Sequence, residues 1–233
     1  MSDFMTVPAL RGLSWLFHGF GTRNFSENDL WAAAAEHGAR SVLLRQIHSA
    51  RVLVLDEAPA GLPAPPEADA TATRRPGLAL VIKTADCLPL FLIDPEQRAV
   101  AAVHAGWRGT SHRIAAEAVE TMTRAFGTRP ASLLAALGPC IGGACYEVGE
   151  DVAASFRRDS TSAALFTAVA GRPGKYLFDL RAANRSQLEN AGLPAANIHE
   201  AGVCTHCDSR LLSYRRDRRS DLRLFNFIGI RAN

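Results

Sequence analysis

The sequence has little of what several protein classes require. It has only five cysteines, an odd number scattered along 233 residues, which argues against a disulfide framework. Its longest apolar runs, Leu78 to Ile82 and Leu88 to Ile93, are far too short to cross a bilayer. The first residues lack the basic start and apolar stretch of a secretory signal. We therefore expect a cytoplasmic protein with free thiols and no membrane contact.

The chain also lacks a strong charge of one sign. Lys and Arg number 26 against 23 Asp and Glu, a formal net charge of +3. This excess is too small to indicate nucleic-acid binding but is compatible with a small anionic substrate. Apolar residues make up 48% and charged residues 21%, as in an average soluble domain. The length suits one substantial core, so we predict a single domain over residues 1–233.

The order of apolar segments predicts more strands than helices. The clearest helix runs from Thr110 to Phe126, where apolar residues recur on one face before Gly127. Shorter helices are predicted at 30–37, 150–157 and 181–191, and the Pro- and Ala-rich stretch 57–68 is expected to be an extended surface loop. Strands are predicted at 41–47, 51–56, 78–83, 88–94, 98–104, 132–137, 175–179, 197–202 and 222–230. Strict alternation is missing, which favours an α+β domain built on mixed sheets.

Three metal-ligand side chains follow or end strand-like segments. They are His48, Cys87 and His104, each at the point where an apolar run gives way to polar or Gly-rich residues. Two imidazoles and one thiolate can hold a zinc ion and leave its fourth position open, as in a catalytic site. Their spacing matches no short metal-binding motif, so this prediction rests on their positions alone.

A Gly-containing turn follows His104 and leads into the predicted helix. Backbone N–H groups at a helix start favour an anion, and Arg108 can add a bidentate contact to phosphate or carboxylate. A tight turn with a surface arginine explains the same residues. The turn lacks both common Gly-rich nucleotide motifs, so a triphosphate or dinucleotide site is not expected.

The remaining cysteines lie in two segments. Cys140 and Cys145 are too far apart for the zinc deaminase signature, which also needs an upstream His-x-Glu. Cys204 and Cys207 form a single C-x-x-C pair. A structural zinc there would need two more ligands, and His206 is too close in sequence to be an easy third. We therefore favour a packing or pocket-lining role for this pair.

The same residues also allow chemistry without a metal. Cys87 could be a nucleophile and His104 its base, as in a cysteine hydrolase or acyltransferase. This interpretation leaves His48 without a role. It also puts the negative charge of Asp86 beside a thiolate that needs positive charge. Asp86 could instead orient a ligand histidine, accept a proton or cap a turn.

Several segments together resemble a known family, the laccase-domain or YfiH-like proteins, formerly called polyphenol oxidases. The likeness runs from about Phe17 to Asp217 and includes the specific block His104-Ala105-Gly106-Trp107-Arg108-Gly109. After Asp217 the chain departs from the family pattern. The matching segments are 45–49, 85–89, 103–110, 137–141, 145–149 and 213–217.

The resemblance implies a zinc-dependent purine nucleoside phosphorylase acting on adenosine, inosine, guanosine or methylthioadenosine, with adenosine deaminase activity reported for relatives. It implies that mixed sheets are packed in a layered core with helices outside. We expect the protein to be a monomer or a homodimer. The family also resembles a deamidating toxin, so a cysteine hydrolase or amidase acting on a peptidoglycan precursor is the alternative. Laccase chemistry is not expected, because multicopper oxidases use His-x-His pairs and the seven histidines form none. The implied metal ligands and catalytic residues are His48, Cys87 and His104, and the substrate-binding residues that we assign are Arg45, Arg108, Cys140 and Arg215.

Overall fold

The computed structural model describes residues 3–55, 64–157 and 160–232. Most of the predicted loop at 57–68 lies outside them. The six helices in the described residues are α1 (Glu27–Ala35), α2 (Trp107–Ser111), α3 (Ile114–Phe126), α4 (Glu150–Phe156), α5 (Leu180–Asn190) and α6 (Tyr214–Asp217). The strands are β1 (Phe4–Met5), β2 (Leu16–Gly21), β3 (Arg40–Val42), β4 (Val52–Val54), β5 (Ala70–Thr73), β6 (Leu78–Thr84), β7 (Leu88–Asp94), β8 (Ala99–Ala105), β9 (Leu134–Leu137), β10 (Glu147–Gly149), β11 (Phe166–Ala168), β12 (Lys175–Phe178), β13 (Ile198–Glu200) and β14 (Leu224–Ile230).

These strands form two large mixed sheets and one small sheet. The five-stranded sheet has the order β1-β2-β14-β6-β3, and the six-stranded sheet has the order β13-β9-β7-β8-β5-β4. Each contains parallel and antiparallel neighbours. The small antiparallel sheet has the order β10-β12-β11.

Apolar side chains pack the two large sheets face to face, with helices on their outer faces. One core cluster joins inner-face residues of both sheets, such as Leu80 of β6 and Phe91 of β7. On the outer face of the six-stranded sheet, residues such as Leu90 pack against α3 and α5. Helix α1 covers the outer face of the five-stranded sheet. Strands buried on both faces read as continuous apolar runs. The predicted α+β fold with mixed sheets in a layered core and helices outside is therefore confirmed. Within the described residues, no helix has the length and hydrophobicity needed to cross a membrane.

Two local predictions were wrong. The predicted helix from Thr110 is two helices, α2 and α3, separated by Arg113 in a left-handed conformation with φ of 63°. Side chains of α5 intervene there, since Gln187 Nε2 donates to Thr110 O at 2.7 Å and Asn184 Nδ2 donates to Thr110 Oγ1 at 3.0 Å. Thr110 is therefore buried inside α2 and begins no helix.

The two strands predicted around His48 also differ from expectation. We expected a pair with His48 at the turn, but β3 pairs with β6 and β4 pairs with β5. The segment between them therefore crosses from one large sheet to the other. This crossing places His48 at the edge where both sheets end, close to the start of β7 and the end of β8.

Candidate metal centre and active site

Register within the six-stranded sheet brings Cys87 and His104 together. β7 and β8 are antiparallel, with Leu88 opposite Ala105 and Pro89 opposite His104. Cys87, one residue before β7, therefore lies beside the end of β8. The gap between the two residues in sequence is the length of this hairpin, which explains why it matches no metal motif.

His48 completes the group from the crossing segment. The ligand atoms of His48, Cys87 and His104 all lie within 4.8 Å of one another, and the two imidazole centroids are 4.9 Å apart at an interplanar angle of 75°. His104 is buried, Cys87 is half-buried and His48 is exposed. The protein therefore encloses the group on one side and leaves the other side accessible to solvent, as an open metal site requires.

A fully buried carboxylate, Asp69, positions both histidines. Asp69 lies opposite His104 across β5 and β8, and its Oδ1 is 2.9 Å from His104 Nδ1. It also accepts hydrogen bonds from the backbone N–H groups of Ile47, His48 and Ser49 at 3.3, 2.9 and 2.6 Å. A carboxylate on Nδ1 leaves Nε2 of His104 for a metal and orients the ring. His48 has φ of 59°, a conformation that these bonds hold in place.

Gly106 leaves the room that the three ligands need. A Cβ at this position would lie 2.9 Å from Cys87 Sγ and 3.2 Å from His48 Cδ2. Gly106 is also the N-cap of α2 and has φ of −80°, which any residue can adopt. Close approach to the ligands, and not backbone conformation, therefore requires glycine here.

The surroundings of the centre shift the pKa values of both the Cys87 thiol and the His104 imidazole. Burial by itself would raise the pKa of Cys87, but His104 and His48 outweigh it, so the thiol pKa lies below its ordinary value. Burial opposes protonation of His104, yet Cys87 and Asp69 raise the pKa of that imidazole. The Asp69 carboxyl also overcomes its burial, and the bonds from His104 and Ser49 lower its pKa to about 2. The surroundings therefore favour a Cys87 thiolate next to a positive charge. Either a metal cation or the His104 imidazolium can supply that charge.

A cavity of about 980 Å³ opens onto the three ligands. Six cationic side chains line it, against two carboxylates, Asp86 and Asp221. Trp107, Tyr146 and Tyr214 add aromatic surface. The cationic residues are Arg45, Lys83, Arg108, Arg215, Arg218 and Arg223. A planar, anionic or phosphate-bearing small molecule fits such a lining.

Three of the four residues that we assigned to substrate binding line this cavity. The Arg108 guanidinium stacks on Trp107 at 4.4 Å from the ring centroid, and the Arg215 guanidinium lies 5.3 Å from the Tyr146 ring centroid. Arg45 is mostly exposed and pairs with Glu67 at 3.0 Å. Cys140 is different, because its side chain is fully buried in the core cluster and is absent from the cavity lining.

Asp86 joins the centre to the C-terminal part of the chain. Its carboxylate accepts hydrogen bonds from Thr205 Oγ1 and from the backbone N–H of Arg215, both at 2.6 Å. It therefore orients neither ligand histidine. Since both oxygens have donors, its charge is a weaker objection to a Cys87 thiolate than the sequence suggested.

Sequence reasoning missed Asp69 and the cationic residues Lys83 and Arg218. Asp69 precedes β5, an Ala- and Thr-rich strand that the apolar pattern did not indicate. A pairing of the predicted strands at 88–94 and 98–104 as a hairpin would have placed Cys87 near His104. No comparable local signal pairs β5 with β8, so Asp69 could not be found in this way.

Fold and site together define an α+β enzyme with a two-histidine, one-cysteine centre beneath a cationic cavity. Residues 23–231 match the family model described as multi-copper polyphenol oxidoreductase laccase. The chain belongs to this family.

Relatives in the family carry enzyme names. The chain is 44% identical over 181 residues to a purine nucleoside phosphorylase of Xylella fastidiosa, covering 76% of this chain and 67% of that one. It is 43% identical over 197 residues to a purine nucleoside phosphorylase of Deinococcus radiodurans, covering 84% and 72%. It is 42% identical over 175 residues to adenosine deaminase RL5 of an unknown prokaryotic organism, covering 72% and 66%.

Solved structures share the whole fold. The Bacillus licheniformis hypothetical protein YfiH has a TM-score of 0.87 at 27% identity, covering 99% of this chain and 100% of that one. YlmD from Geobacillus stearothermophilus has a TM-score of 0.86 at 27% identity, covering all of both chains.

Proposed function

We propose that this chain is a zinc-dependent purine nucleoside phosphorylase with its reaction centre at His48, Cys87 and His104. The observation that carries the proposal is this ligand group, held by Asp69 and lining a cavity rich in arginine and aromatic surface. The names of the Xylella and Deinococcus relatives support the substrate class. The name of the RL5 relative supports adenosine deamination as a second activity.

Zinc suits the donor set better than copper does. A histidine–histidine–cysteine set also occurs in blue-copper sites, where a methionine or glutamine supplies a weak axial ligand. Met5 and Met122 do not line the cavity. The amide of Gln46 lines it, but both ends bond to the backbone of Lys83, at 2.8 and 2.7 Å. When bound, zinc would act as a Lewis acid at the open coordination position.

Different cavity residues would bind the phosphate and the nucleoside. Arg108 and Arg215 have fixed guanidinium groups that can hold phosphate by bidentate contacts. A phosphate oxygen would then attack the ribosyl anomeric carbon, and the bond to the purine nitrogen would break as the base leaves. Arg45, which is exposed on the cavity rim and pairs with Glu67, would exchange this partner to neutralise the remaining phosphate charge.

Tyr214 is the best placed aromatic side chain for the purine. Trp107 and Tyr146 each already stack with an arginine, whereas Tyr214 is 50% exposed and lines the same cavity. Stacking of a base on an aromatic ring contributes about 1–3 kcal/mol. Removing the Tyr214 ring would therefore raise KM for the nucleoside.

The test incubates metal-analysed protein with adenosine or inosine, with and without phosphate. Base release that needs phosphate, disappears in His48→Ala and persists in His199→Ala supports phosphorolysis. His199 is the matched histidine because it lies on β13, outside the ligand group. Conversion of adenosine to inosine without phosphate would show the deaminase activity. A zinc-loaded wild type that releases no base and forms no inosine contradicts the nucleoside proposal.

A cysteine hydrolase or amidase is the second candidate, because Cys87, His104 and Asp69 also follow the order of nucleophile, base and orienting acid. His48 is not one of these three groups and only helps to lower the pKa of the Cys87 thiol. Activity on a peptidoglycan precursor that resists chelators, is lost on alkylation and survives in His48→Ala would favour this candidate.

A further inference from the structure

A second group of metal-ligand side chains lies outside the reaction centre. The ligand atoms of Cys145, His206 and Cys207 all lie within 4.8 Å of one another, and the sulfurs of Cys145 and Cys207 are 3.4 Å apart. The sequence interpretation discounted the C-x-x-C pair because it lacked further ligands. The fold supplies one from the turn before β10, about sixty residues away in sequence.

Cys204 lies next to this group, outside the set of ligand atoms that converge within 4.8 Å. Its thiol interacts with those of Cys145 and Cys207, so it is the nearest candidate for a fourth ligand. Its own sulfur accepts a backbone N–H bond from Gly142 at 3.1 Å, and the backbone N–H groups of His206 and Cys207 lie near it. N–H donors aimed at one sulfur stabilise its thiolate, which is the form that binds metals.

We propose that Cys145, Cys204, Cys207 and His206 bind a second zinc ion in a closed, structural site. Three thiolates and one imidazole are a common set for four-coordinate structural zinc. None of the arginines that line the cavity belongs to this site. Its four protein ligands would leave no open coordination position for a substrate. Its chemistry therefore differs from that of the reaction centre, where only three ligands converge.

This second site would brace the reaction centre. Thr205 lies between the ligands Cys204 and His206, and its hydroxyl donates to Asp86, the neighbour of Cys87. Asp86 in turn accepts from the backbone of Arg215 at the cavity. A metal that fixes the 204–207 turn would thus fix two residues of the cavity wall.

The experiment counts zinc in protein purified under reductant and desalted. Wild type should hold two zinc ions per chain, by elemental analysis and native mass spectrometry. Cys204→Ser/Cys207→Ser should hold one, and His48→Ala/His104→Ala should also hold one. Cys140→Ser is the matched control, since this nearby thiol is outside the group, and it should keep two. Because the two sites are counted separately, failure of the nucleoside assay would not affect this result.

Cobalt substitution distinguishes the sites without relying on activity. Thiolate-to-cobalt absorption should be several times stronger per ion in the His48→Ala/His104→Ala variant, with three sulfurs, than in the Cys204→Ser/Cys207→Ser variant, with one. Removing the second zinc should lower the unfolding midpoint by about 5 °C. The proposal is overturned by a wild type that holds one zinc and loses it in the histidine variant. A Cys145–Cys207 disulfide that persists in reduced, zinc-supplied protein would overturn it as well.

Discussion

At the residue scale, one carboxylate connects the groups of the proposed reaction centre. Asp69 bonds the imidazole of His104 and the backbone of the segment that carries His48. A buried carboxylate with this many donors stays ionised, so it supports positive charge at the centre. Its loss would affect the position of two ligands at once.

Asp69→Asn should weaken zinc binding by about 10–100-fold, because an amide cannot accept from His104 and from the loop N–H groups together. A competitive titration against a chromophoric chelator measures this. Asp94→Asn is the matched control, since Asp94 is also buried in this sheet but, among the described residues, its carboxylate bonds the turn after β7 alone. Equal zinc affinity in Asp69→Asn and wild type would contradict the role of Asp69.

Gly106→Ala should reduce zinc affinity and activity together while leaving the fold intact, because the new Cβ meets the sulfur of Cys87 and the ring of His48. Gly12→Ala provides the control, since a Cβ there has nothing within 4 Å. Zinc content, turnover and circular dichroism would be compared. Normal zinc affinity in the Gly106→Ala variant would show that the ligands do not converge as described.

At the element scale, the strands were easier to infer than their ends and partners. β7 and β8 are continuous apolar runs buried on both faces, and the sequence located both closely. β5 consists of alanines and threonines, which give only a weak strand signal. It nevertheless follows Asp69 directly and so fixes the position of this carboxylate beside His104. The break between α2 and α3 depends on side chains of α5, which no local pattern reveals.

His18 of β2 gives this element a pH dependence. The ring is buried and its Nε2 accepts the backbone N–H of Val7 at 2.9 Å. Burial lowers its pKa from 6.5 to about 4. The unfolded chain therefore binds more protons than the folded chain between these values, so the free energy of unfolding falls as pH drops from about 6.5 towards 4.

We expect His18 to account for a loss of about 3 kcal/mol over this window. Urea unfolding at pH 7 and pH 4.5 would measure it, with His18→Gln as the comparison because glutamine can still accept from Val7. The variant should lose less stability on acidification than wild type. Parallel pH profiles for the two proteins would contradict the assignment.

At the scale of the whole molecule, the cavity wall depends on distant parts of the chain. Arg216 organises the C-terminal segment, and its guanidinium donates to the carbonyl oxygens of Thr205, His206, Asp208 and Leu211 and to Asp217. A planar group with five donors suits this arrangement. The segment beside it carries Tyr214 and Arg215 into the cavity.

Arg216→Lys should destabilise the protein by about 2 kcal/mol and raise KM for the nucleoside, because one ammonium cannot replace bonds to four carbonyl groups. Thermal unfolding and steady-state kinetics measure the two effects. Arg219→Ala is the control for the stability measurement, since its pair with Asp221 is exposed. If Arg216→Lys behaved like Arg219→Ala, the segment would not depend on this hub.

The sequence by itself determined the α+β class with mixed sheets and supplied three residues with metal-ligand side chains, because buried runs and side-chain chemistry are local properties that a chain carries in any context. The tertiary structure alone decided that Asp69 stands behind His104 and that Cys140 lies in the core, away from the cavity. It also decided that Cys145 joins the distant pair Cys204 and Cys207. These facts depend on strand register and chain crossing between sheets, which bring together residues with no signal of their proximity in the sequence.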